Sequence, residues 1–104
     1  MDVAVSKNGV PVRLTLERWF HIEESHDELA GRYSEVLEAI EQPELIIQGY
    51  GGELIAARRM EKGKHLVVVY RELSVKDGFV ITAYLTSHLK QLLKKRGVVW
   101  QRQR

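Results

Sequence analysis

The chain has 104 residues, 29% of them charged and 44% apolar, and a formal net charge of +2. That length predicts a single domain with a core over about residues 12–100. The absence of cysteine excludes disulfides and thiolate zinc sites. No apolar run approaches a membrane span, and neither a signal-peptide h-region nor a lipidation motif stands out, which predicts a cytoplasmic protein.

Residues 1–10 read as a loose leader around an Asn8-Gly9 turn. In residues 11–16, Val12, Leu14 and Leu16 alternate with Arg13 and Thr15, which predicts a short strand. Thr15 suits the N-cap of a helix running to about Glu24. Leu16, Trp19, Phe20 and Glu23 share its spacing, with Trp19 and Phe20 as core anchors. Ser25 and Glu28 have capping-box spacing and predict a second helix to about Glu41. Its apolar stripe is Leu29, Tyr33, Val36, Leu37 and Ile40, and Gln42-Pro43 ends it.

The period then changes. Residues 45–48 predict a strand, Tyr50-Gly51-Gly52 a turn, and residues 53–60 the partner strand. Residues 61–64 form a second turn. The run Leu66, Val67, Val68, Val69 predicts a central strand over residues 65–71. A turn over residues 74–78 leads to a last long strand, residues 78–86. There Phe79, Ile81, Ala83 and Leu85 share one face, and Val80, Thr82, Tyr84 and Thr86 the other. The first face suits a core. The second is either a solvated outer face or a rigid polar row on which a site can be built. Residues 87–96 predict a basic helix with Leu89, Leu92 and Leu93 inward, Gly97 its C-cap and residues 98–100 a short strand or docked tail. Strand, helices, then a meander indicate α+β, with helices on one face of an antiparallel sheet.

Charge is unevenly distributed. Residues 17–44 carry nine acids against two bases, a formal −7, whereas residues 87–104 carry six bases and no acid. A polyanion would be drawn to the second region and repelled by the first. No basic amphipathic anchor with inserting aromatics is present, so nucleic acid or an acidic partner is favoured over a membrane. Solvated helix faces and a basic tail are the simpler alternative.

The histidines are His21, His26, His65 and His88. On a continuous helix His21 and His26 would stand ~140° apart. Neither matches a zinc-ligand spacing, so no metal or other cofactor is expected. Either could serve as a general acid or base, because imidazole titrates near neutrality. Arg58 and Arg59 are adjacent on a strand and point to opposite faces. A guanidinium on the face of Thr82 and Tyr84 could clamp a phosphate, with Arg71 at the end of the central strand as another candidate. Cross-strand pairing with Glu53 or Glu72 is the competing account of these arginines. No Walker loop or Gly-x-Ser-x-Gly elbow is present.

Several of these segments together resemble a known superfamily. They are the strand before Glu17-Arg18-Trp19-Phe20-His21-Ile22, then His26, the helix ending at Gln42-Pro43-Glu44, Arg58-Arg59, residues 66–70, Val80-Ile81-Thr82-Ala83-Tyr84, and the closing Lys-Arg-Gly with Trp100. Over residues 13–100 the chain resembles phage-type nuclease domains of the barnase/EndoU/colicin/RelE-like superfamily. The resemblance implies N-terminal helices packed on a four-stranded antiparallel sheet, with a basic C-terminal helix. It implies metal-independent cleavage of RNA, often in toxins, with an antitoxin or immunity protein as partner. His21 or His26, Arg59, Thr82 and Tyr84 would then be catalytic, and Arg58, Arg71, Lys90, Lys94 and Lys95 would bind RNA. A catalytically inactive RNA- or protein-binding module is the alternative.

Overall fold

The switch from helical to strand periodicity after Pro43 produces an antiparallel meander at the centre of the protein. The computed structural model describes residues 2–103. Its strands are β1 (Asp2–Val5), β2 (Pro11–Leu14), β3 (Leu45–Gln48), β4 (Leu54–Arg59), β5 (His65–Ser74), β6 (Asp77–Thr86) and β7 (Val98–Gln101). Its helices are α1 (Leu16–Ser25), α2 (Tyr33–Glu41) and α3 (Leu89–Lys95). The fold is α+β.

The expected four-stranded antiparallel sheet is corrected. One seven-stranded mixed sheet runs in the order β1-β2-β6-β5-β4-β3-β7. The meander β3 to β6 forms its middle. β7 extends one side and the β1–β2 hairpin the other. β2 joins β6 in parallel, through Val12 opposite Gly78 and Arg13 opposite Phe79. Gly78 permits this junction, since a Cβ there would lie 2.7 Å from the Arg71 carbonyl oxygen. β1 was expected to be a loose leader. Only one small residue, Ala4, points inward from it, while Val3 and Val5 are exposed. Pairing with β2, not an apolar stripe of its own, makes it a strand.

The helices also depart from expectation. Thr15 does cap α1, its Oγ1 accepting the Arg18 N–H at 3.1 Å. Ser25, however, is the last residue of α1 and not a second cap. The chain makes a 3-10 turn at Asp27–Leu29 and then passes through Gly31, whose φ of +79° interrupts any continuous helix. α2 therefore begins only at Tyr33. Trp19 is buried and meets Tyr33 edge-on at 5.4 Å, but Phe20 points to solvent, 57% exposed.

The helices do not share one face of the sheet. α1 and α2 cover one face, burying Trp19, Ile22, Val36 and Ile40 against Leu66, Val68 and Tyr70. Each such side chain contributes about 1.5–3 kcal/mol. α3 lies on the other face, where Leu89 packs with Ile47, Ile55, Ala57 and Val67.

The alternation expected along β6 is broken. Val69 pairs with Thr82 but Tyr70 pairs with Val80, so Ile81 is the extra residue of a β-bulge. Beyond it the expected pattern holds, with Ala83 and Leu85 facing α1 and α2. Before it the pattern inverts. Val80 enters the main core, and Phe79 stands opposite Arg71 and Arg13 on the α3 face. α3 has only seven residues, so that face carries a half-open floor of Phe79, Thr82 and Tyr84.

Candidate nucleic-acid interface

α3 is amphipathic in the simplest sense. Its leucines pack on the sheet, and Lys90, Lys94 and Lys95 stay outside. At its end Arg96 adopts an extended conformation (φ −139°, ψ 145°). This carries the guanidinium back over the Tyr50 ring, 4.1 Å from its centroid. Tyr50 belongs to the β3–β4 connection and is 72% exposed.

A groove of about 420 Å³ lies between α3, Tyr50 and β6, with Tyr84, Thr86, Lys95 and Arg96 in its walls. A second, of about 470 Å³, lies on the other side of α3, with His65, Ser87, Lys90 and Lys94. His88 and Gln91 border both. Among the described residues, no carboxylate lines either groove. Two acids act on groove residues from outside the lining, Glu44 on His65 and Glu53 on Arg96. The Glu53 carboxylate accepts the Gly51 N–H at 2.6 Å, and that bond, with Arg71 and Arg96 nearby, holds it below the usual range. Burial pushes the Tyr84 phenol up, opposed by Arg96, so it remains a donor at neutral pH. Burial, with Arg59 beside it, pushes His65 down.

The residues singled out from the sequence fall into separate groups. His21 and Thr82 border one depression of about 410 Å³ with Arg18 and Ser25. His26 caps α1, and its ring lies 6.0 Å from that of Tyr84. Its Nδ1 is 3.6 Å from Glu28 Oε2. Arg59 joins neither group. It lies opposite His65, which lies opposite Thr86. Thr82 is four residues further along β6, or ~13 Å, and two strands across.

Arg58 points to the opposite face, where it pairs with Glu38 at 2.9 Å and donates to the Gln42 carbonyl. It ties β4 to the end of α2. Arg71 donates to the Gly51 carbonyl at 2.7 Å and adjoins Glu53, close to the competing account of it. Lys90, Lys94 and Lys95 do line the α3 grooves.

Tyr50, Arg96 and Arg18 were not anticipated. Tyr50 precedes Gly51-Gly52 and reads as a turn residue. Arg96 was legible as part of the basic run 94–96, but not as an aromatic partner, because only the fold places it over Tyr50. Among the described residues, no three His, Asp or Glu side chains are grouped to hold a metal ion. Among the same residues no helix is long and apolar enough to cross a membrane. No family model, curated protein or solved structure matches the chain.

Proposed function

We propose that this chain binds single-stranded RNA across α3 and the Tyr50 connection. The observation that carries this reading is the pair of cation-lined, carboxylate-free grooves on either side of α3. Lys90, Lys94, Lys95 and Arg96 follow the phosphates, and exposed Tyr50 offers a ring on which a base stacks. Single strands are favoured over duplex because a duplex keeps the faces of its bases inside the stack. The acidic α1–α2 side repels the backbone and leaves the α3 face as the one to which RNA is steered. Fluorescence anisotropy of a labelled single-stranded RNA tests this. Binding to the intact protein, weakened by Lys94→Gln with Lys95→Gln and unaffected by Arg58→Gln, supports the reading. Equal loss in both variants refutes it.

A second reading, RNA cleavage, is favoured by the contact of His26 with Tyr84. Here the 2′-hydroxyl oxygen attacks the adjacent phosphorus, and the bond to the 5′-oxygen breaks. His26, oriented by Glu28, takes the 2′ proton, and Tyr84 donates to the phosphoryl oxygen. The leaving 5′-oxygen takes a proton from water. Incubation of bound RNA in EDTA, with typing of the product ends, separates the two readings. Ends with 2′,3′-cyclic phosphate that vanish in His26→Ala support cleavage, and intact RNA leaves binding alone.

A further inference from the structure

The two outer parts of the sheet come together. Lys7, in the β1–β2 turn, places its Nζ 5.3 Å from the centroid of the Trp100 ring, on β7 at the opposite end of the strand order. The turn is pinned there from β5. Ser6 Oγ donates to Glu72 at 2.5 Å and Asn8 Nδ2 donates to the same carboxylate at 2.9 Å. Between turn and sheet lies a hollow of about 240 Å³. Its apolar walls are Ile46, Leu54, Val99 and Trp100, and its rim is Lys7, Asn8 and Gln48. Ile46 pairs with Ala56 of the helix-side core, so the hollow faces away from α3.

We propose that this hollow binds a small planar aromatic anion, one ring system bearing a single carboxylate or phosphate. The volume falls below the ~300 Å³ at which sites for drug-sized ligands begin, so one ring system fills it. The apolar walls and the Trp100 indole take a flat ring by stacking. Lys7 supplies the charge. Among the described residues it has no ion-pair partner, and its ammonium lies over the Trp100 ring. Glu72 is the acid behind the turn, and both its oxygens are engaged by Ser6 and Asn8. The side-chain oxygens of Asn8 and Gln48 remain to accept from ring substituents. The site is independent of RNA binding on the α3 face.

The protein's two tryptophans allow a direct test by nitrogen-15 correlation NMR, since each indole N–H gives one resonance. The probes are indole-3-carboxylate, neutral indole-3-carboxamide, and acetate, which has the charge without the ring. The carboxylate shifts the Trp100 resonance saturably, with a Kd of about 1 mM or tighter, and leaves buried Trp19 in place. Carboxamide binds about tenfold more weakly, the worth of one charge-assisted contact, and acetate produces no shift. Lys7→Ala removes that tenfold preference. Lys7 is an exposed turn residue, and an unchanged Trp19 resonance reports that the variant keeps its fold. A Trp100 resonance that no probe moves overturns the proposal. So does a carboxylate affinity unchanged in Lys7→Ala, or equal movement of both tryptophans.

Discussion

Arg96 lies over Tyr50, its guanidinium carbon 4.1 Å from the ring centroid. The pair joins the end of α3 to the β3–β4 connection and sets a cation beside an exposed aromatic face. Base stacking on such a ring contributes about 1–3 kcal/mol. Tyr50→Ala is therefore expected to weaken single-stranded RNA binding by about fivefold to a hundredfold, and Tyr50→Phe to preserve most of it. Anisotropy titration of the two variants measures the difference.

Gly78 sits where β2 joins β6, opposite Glu72 of β5 and close against the Arg71 carbonyl. The Cβ of Gly78→Ala would meet a backbone oxygen, which cannot swing aside as a side chain can. The variant is expected to lose about 1–3 kcal/mol, the usual cost of overpacking. Gly97→Ala meets nothing within 4 Å and serves as the control. Urea denaturation of both variants decides, and equal stability would show that the junction yields.

Tyr70 is fully buried, and among the described residues its hydroxyl has no hydrogen-bond partner. Burial, with Glu72 nearby, pushes its ionisation far above the ordinary range, so the phenol stays neutral. An unsatisfied buried hydroxyl costs about 1–3 kcal/mol. Tyr70→Phe keeps the ring and removes that cost, so its melting temperature should equal or exceed that of the wild type. A clear drop would reveal a partner for the hydroxyl.

His65 has its ionisation lowered by burial and by Arg59. The unfolded chain then binds a proton at pH values where the folded chain does not. Stability from this source is complete above the unfolded imidazole value of about 6.5 and declines as pH falls towards the folded value. His65→Gln should flatten the pH dependence of the melting temperature over that window, and an unchanged slope would assign it to other groups.

How much of this was legible from the sequence depends on the range of the interaction. β3, the Thr15 cap and the end of α2 at Gln42 follow from local periodicity and turn chemistry, and all appear where the residues predict them. The parallel pairing of β2 with β6, the β1 strand and the bulge at Ile81 depend on partners distant in the chain. No local pattern announces them. The same division runs through the site. The lysines of α3 are visible as a charge run, whereas Arg96 meets Tyr50 only because the sheet brings residues 50 and 96 together. Arg59 was expected to act with Thr82 and Tyr84, and only the register shows that it lies away from Thr82.

The salt dependence of RNA affinity is the most direct test of the central claim. If α3 neutralises phosphates, log K should fall linearly with log salt, by about 0.7 per contact for a single strand. Replacing Lys94, Lys95 and Arg96 together by glutamine should then reduce the slope by roughly 2. A slope unchanged by those three substitutions, or an affinity indifferent to salt, would contradict the assignment of α3 as the RNA-binding surface.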